Sequence, residues 1–129
     1  MNLNQVSLAV NDLTVSIAFY QQLGQRLIVQ SEGYARFEMP EGDATLSLIR
    51  SDSPVVPNAT HVCFECSDLD ALCSALAAAG IVFKSMPEDT RWLWREAWLE
   101  DPSGNLLCLF WAGENRKNPP WRLTTKQEN

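Results

Sequence analysis

Histidine is almost missing from this chain: His61 is the only one. A metal site of two histidines and a carboxylate is therefore excluded within one chain. Cysteine is sparse, with Cys63, Cys66, Cys73 and Cys108. Cys63-Phe64-Glu65-Cys66 has redox or zinc spacing, but no second such pair follows it. The segment alternates like a strand, where residues three apart point to opposite faces, so a shared metal there is geometrically poor. The expectation is buried free thiols. No apolar run reaches the ~18 residues of a membrane span. No basic stretch precedes an apolar one at Met1 to Gln5, so no signal peptide is visible and a cytoplasmic location is expected. Basic residues are outnumbered 10 to 16, giving a net charge of −6. Such a surface repels phosphate backbones and argues against nucleic-acid binding. It attracts cationic ligands at long range and leaves room for a small anion in a local pocket.

What is present is a repeat. Apolar residues make up 46% of 129 residues, enough for one domain with its own core. Gln5-Val6-Ser7-Leu8-Ala9-Val10-Asn11-Asp12-Leu13 has a counterpart fifty-six positions later, His61-Val62-Cys63-Phe64-Glu65-Cys66-Ser67-Asp68-Leu69. Leu23-Gly24 matches Ala79-Gly80, and Pro40-Glu41-Gly42 matches Pro102-Ser103-Gly104 at a slightly longer offset. The second copy therefore carries about six extra residues around Pro87 to Trp92. Each copy opens with strand-like alternation and continues into a helix with an apolar stripe. The stripes are Leu13, Ile17 and Tyr20, then Leu69, Leu72, Cys73 and Leu76. Asp12 and Asp68 stand where N-caps belong, and Gly24 and Gly80 where helices stop. Three strand-like segments follow each helix: 25–31, 34–39 and 45–50, then 81–84, 93–99 and 105–111. The fold class is α+β, two βαβββ modules at about 3–50 and 59–111. They should pair into a curved sheet around a cavity, with helices outside, Gln5 over His61 and Asp12 over Asp68. Residues 51–58 read as a linker, 1–113 as the domain and 114–129 as a tail whose end, from Thr124, should be mobile.

This pattern resembles the glyoxalase, bleomycin-resistance and extradiol-dioxygenase superfamily, the vicinal oxygen chelate proteins. The resemblance runs from Leu3 to Gly113. It rests on the repeat, on Val6 to Leu13 with Ser16, Phe19 and Tyr20, and on the turn Asp101-Pro102-Ser103-Gly104-Asn105-Leu106. The tail from Ala112 to Arg116, with Pro119-Pro120-Trp121-Arg122, resembles one bacterial branch of the superfamily. The resemblance implies fold more strongly than reaction, since lyases, epimerases, dioxygenases, thiol transferases and drug binders share it. It also implies four ligand positions in metal-using relatives, which fall here on Gln5, Ser47, His61 and Cys108. The last-strand positions usually carry Glu and here do not. One histidine argues against the extradiol-dioxygenase reaction. No cofactor is favoured; zinc through Gln5, His61 and Cys108 is the metal to expect if one binds.

Alternation places further candidates on the cavity side. They are Tyr34 and Arg36 in the first module, and Trp94, Glu96 and Trp98 in the second. Arg36 could clamp a carboxylate or phosphate, or pair with Glu65 or Glu96. Five tryptophans supply flat apolar area for a ligand or a dimer interface. Two leading readings stay open, beside a third of a dimeric scaffold whose pocket is vestigial. One is a small-molecule binder, possibly metal-free, holding an aromatic or cationic compound through Tyr34, Arg36, Ser47, Trp94 and Trp98. The other is a metal-dependent lyase or isomerase in which Glu65 or Glu96 moves a proton. A homodimer is expected as well.

Overall fold

The computed structural model describes residues 1–124. The predicted mobile end falls, beyond Thr124 itself, outside the described residues. The chain divides into two compact units, Met1–His61 with Glu100–Leu107, and Val62–Leu99 with the chain from Cys108. The element order is two βαβββ modules.

The first module contains β1 (Gln5–Val10), α1 (Leu13–Gln22), β2 (Arg26–Ser31), β3 (Tyr34–Glu38) and β4 (Thr45–Arg50). Its sheet has the order β1-β4-β3-β2. β1 runs parallel to β4 with Ser7 beside Ser47, and β3 runs antiparallel to β4 with Arg36 beside Ser47. The Asp12 carboxylate accepts from the Val15 amide at 3.1 Å and caps α1. Gly24, at φ +100°, lets the chain turn back so that the Gln25 amide reaches the Tyr20 carbonyl at 3.1 Å. Val10, Tyr20, Ala35, Phe37 and Leu48 have no exposed surface. Tyr20 and Phe37 meet with ring centroids 5.9 Å apart, so the apolar face of the sheet is the one α1 covers. Truncating a buried aromatic such as Phe37 to Ala would cost about 3–5 kcal/mol.

The turn 100–107 belongs to the same unit, and its polar residues bond one another. The Asp101 carboxylate accepts from the Ser103 and Asn105 amides, both at 2.9 Å, from the Asn105 side chain at 2.9 Å and from the Tyr20 hydroxyl at 2.7 Å. The Asn105 side chain also donates to the Ala9 carbonyl at 2.9 Å. Burial, reinforced by the neighbouring Asp101 charge, pushes the Tyr20 phenol far above its ordinary value.

The second module contains β5 (His61–Glu65), α2 (Leu69–Ala78), β6 (Phe83–Asp89), β7 (Arg95–Glu100) and β8 (Leu106–Trp111), in sheet order β5-β8-β7-β6. Its helix ends as the first does. Gly80 has φ +102°, and the Ile81 amide bonds to the Leu76 carbonyl at 3.0 Å. Asp68 takes the N-cap position without a side-chain capping bond. β6 runs further than its sequence suggested. As the sheet's edge strand it tolerates Pro87, and its register against β7 shifts between Ser85 and Glu88. Half of the predicted insertion, Pro87 to Asp89, is thus spent in a bulged edge strand. A tight turn completes it, where Leu93 holds a left-handed φ of +69°. Among the described residues no helix is long and apolar enough to cross a membrane.

Candidate functional site

In each module one sheet face carries the apolar core and the other carries chemistry. On the first sheet that face is polar. The Tyr34 and Ser47 hydroxyls lie 2.6 Å apart. Arg36 Nε donates to the Tyr34 oxygen at 2.9 Å, and that oxygen can also accept from Ser47. The Gln5 amide oxygen accepts from Thr45 at 2.9 Å. The Ser47 hydroxyl, then the Arg36 guanidinium, hold the Tyr34 phenol below its ordinary value. Only Nε of the Arg36 guanidinium is committed to Tyr34. Its outer nitrogens make no bond among the described residues, which suits them to a bidentate anion.

On the second sheet the corresponding face is aromatic. Glu96 is buried, and its carboxylate accepts from the Trp92 indole at 2.6 Å and the Trp98 indole at 3.0 Å. Trp94 stacks on Phe110 with centroids 4.4 Å apart and planes 13° from parallel. Its own indole donates to the Asn115 carbonyl at 3.3 Å. Trp94 and Trp98 pack on a cluster of Cys108, Phe110 and Ala112. Cys63 and Cys108 form a thiol pair here. A hydrogen bond from Cys108 holds Cys63 down to about 7, while the same bond and burial push Cys108 up. Cys73, away from this face, is pushed up to about 11 by burial.

A model of the Glyoxalase/Bleomycin resistance protein/Dioxygenase superfamily matches residues 2–109. The chain belongs to that superfamily. It is similar to a glyoxalase/bleomycin resistance protein/dioxygenase from Nocardioides, at 26% identity and a TM-score of 0.78 over 96% of this chain and 90% of that one. It is also similar to a bleomycin resistance determinant encoded on the transposon Tn5, at 25% identity and 0.72 over 86% and 98%. A bleomycin-binding protein solved with bleomycin shares the fold, at 24% identity and 0.71 over 86% and 98%. No curated protein sequence matches this chain.

The superfamily's metal-ligand positions can now be tested for fit. Gln5 is bonded to Thr45, Ser47 to Tyr34, and Cys108 to Cys63. With His61 they offer one imidazole, one thiol and no carboxylate. Among the described residues no three His, Cys, Asp or Glu side chains converge as a metal site would require. This donor set does not fit a hard divalent cation.

The residues singled out by sequence separate into two groups. Gln5, Tyr34, Arg36 and Ser47 share the polar face, while Trp94, Trp98, Glu96 and Cys108 belong to the aromatic one. Glu65 is occupied elsewhere. One oxygen accepts from the Ala112 and Gly113 amides at 3.1 and 2.9 Å, and the other lies 3.6 Å from Arg116. It fastens the start of a single 3-10 turn at Gly113–Asn115, a task unlike proton transfer. Glu96 likewise has both oxygens taken by indoles. Arg36 bonds Tyr34 rather than a carboxylate. Sequence reasoning counted Trp92 only among the five tryptophans and took Cys63 for a buried thiol. Trp92 lies in the turn before β7, where no alternation shows that it reaches Glu96. Cys63 is exposed rather than buried. Its link to Cys108 depends on the pairing of β5 with β8, which the sequence does not display.

Proposed function

We propose that this protein binds a flat, cationic aromatic compound on the aromatic face of its second module and leaves the bound compound unchanged. The observation that carries this reading is the Glu96 carboxylate gripped by Trp92 and Trp98. It fixes two indole planes at low entropic cost and adds a negative charge behind them. Trp94 on Phe110 extends the flat surface. The net charge of −6 favours approach of a cation. The likeness to a bleomycin resistance determinant supports bleomycin as one compound to test.

Titration with bleomycin and with a cationic acridine, read by tryptophan fluorescence and calorimetry, tests it. Saturable binding should weaken at least about tenfold in Trp98→Ala, a loss of about 1.4 kcal/mol. Arg36→Ala should leave it unchanged. Absence of binding to either probe, or loss in Arg36→Ala with none in Trp98→Ala, defeats the reading. A homodimer belongs to the same proposal, because Trp111, Trp121, Val82 and Met86 leave apolar surface exposed. Sedimentation giving only monomer at micromolar concentration counts against that part.

A further inference from the structure

We infer that Cys63 and Cys108 form a two-thiol site that reduces hydroperoxides and closes into a reversible disulfide. The placement follows from the backbone. The Leu106 amide bonds to the Thr60 carbonyl at 3.1 Å, and the Cys66 amide to the Phe110 carbonyl at 2.7 Å. These two bonds are the slanted pattern of a parallel pair, and they set Cys63 on β5 directly beside Cys108 on β8. Neighbouring strands lie about 4.8 Å apart, and side chains in register share a face. That spacing falls within the roughly 4.4–6.8 Å between Cα atoms that a disulfide spans. Hydrogen bonding between the two thiols lowers Cys63 and raises Cys108, in keeping with that adjacency.

The two sulfurs differ in a way that assigns their roles. Cys63 is exposed and open to a dissolved oxidant, whereas Cys108 is 1% exposed and sheltered beneath Phe110 and Trp98. Cys63 sulfur attacks one oxygen of the hydroperoxide. The S–O bond forms as the O–O bond breaks, and the alcohol, or water, leaves with a proton. Cys63 is oxidised by two electrons to a sulfenic acid, and the hydroperoxide is reduced. Cys108 sulfur then attacks Cys63 sulfur. The S–S bond forms, the S–O bond breaks, and the departing hydroxide takes the Cys108 proton as water. A dithiol reductant restores the pair. The first module holds Ser7 and Ser47 at the matching places, side by side in its parallel ladder, and cannot perform this chemistry.

Reduced full-length protein is treated with one equivalent of hydrogen peroxide and then with dimedone, and intact mass and peptide maps are recorded. Wild-type protein should lose about 2 Da, with Cys63 linked to Cys108, and dithiothreitol should reverse the change. Cys108→Ser should stop at the sulfenic acid, with the dimedone adduct on Cys63. Cys63→Ser should give neither product. Circular dichroism confirms that each variant is folded, and Cys108→Ala serves where Cys108→Ser is not. A cross-link mapping to Cys66 and Cys73 overturns the inference. So does oxygen addition in the wild type without a cross-link, or no reaction at all.

Discussion

The two modules have the same elements and helix ends, yet their chemical faces have diverged. The first gathers Gln5, Tyr34, Arg36, Ser47 and Thr45 into a hydrogen-bonded polar surface. The second sets a buried carboxylate between Trp92 and Trp98 and stacks Trp94 on Phe110. At matching places a serine pair in one is a cysteine pair in the other. The alternate face of a strand is free to change this way because the core uses only every second residue. Duplication therefore preserves the apolar half of the pattern, while the other half drifts toward separate chemistries. The divergence reaches the chromophores. Both tyrosines, Tyr20 and Tyr34, stand in the first copy, and all five tryptophans stand beyond residue 90.

That division lets each copy be watched alone, and the largest expected effect is alkaline. Tyr20 has a folded pKa raised by burial and by Asp101. Its contribution to stability is fully present below the unfolded value of about 10 and is lost as pH rises beyond it. Each unit above about 10 should remove about 1.4 kcal/mol while the phenol stays protonated. Tyr34 is shifted the opposite way by Ser47 and Arg36, so it should ionise first and without unfolding. Absorbance near the tyrosinate band should rise in two steps. The first should vanish in Tyr34→Phe, and the second should coincide with loss of helical circular dichroism. A single step for both phenols would erase the distinction between the packed and the polar face.

The next effect compares the two faces directly. Glu96→Ala leaves two indole N–H groups without their acceptor in a half-buried setting. Hydrogen bonds to a charged group are worth about 1.5–3 kcal/mol each, and rehydration recovers part, so about 2–3 kcal/mol should be lost. Arg36→Ala leaves the Tyr34–Ser47 bond in place and should change stability by no more than about 0.5 kcal/mol. Urea unfolding followed by tryptophan fluorescence measures both. Equal losses would mean that the polar face is as structurally committed as the aromatic one.

How far the sequence reaches follows from the same division. Periodicity exposed the helices, their glycine stops and β4 to the residue, because the buried half of a pattern is repeated in every turn or alternate position. It also put Tyr34, Arg36, Glu96 and Trp98 on the sides where they stand. It gave the wrong length for β6, since a bulge at an edge strand breaks the alternation that periodicity reads. It could not show that Glu65 reaches the Gly113 amide or that Cys63 meets Cys108. Such partners lie some forty-five residues apart and are joined by strand register alone. Asp101 is the intermediate case. Its turn motif was visible, but the Tyr20 hydroxyl that makes the carboxylate indispensable was not.

The smallest expected effect tests whether the copies differ even where their sequences agree. Asp12 and Asp68 occupy the same N-cap position in the repeat. The Asp12 side chain accepts from the Val15 amide, with φ and ψ of −124° and 103° in the extended region that capping requires. Asp68 has ψ 56° and makes no side-chain capping bond. At ψ 56° the residue is outside the extended region, so its carboxylate is not presented to the helix amides as Asp12's is. Asp12→Ala should therefore cost about 1 kcal/mol, as the loss of a capping bond does. Asp68→Ala forfeits only a charge near the helix start, worth about 0.3–1 kcal/mol at low salt and less in its presence. Denaturant curves at low and at high salt separate the two. The Asp12→Ala loss should persist in salt, and the Asp68→Ala loss should fade toward zero. A salt-resistant loss at Asp68 equal to that at Asp12 would show that both helices are capped alike.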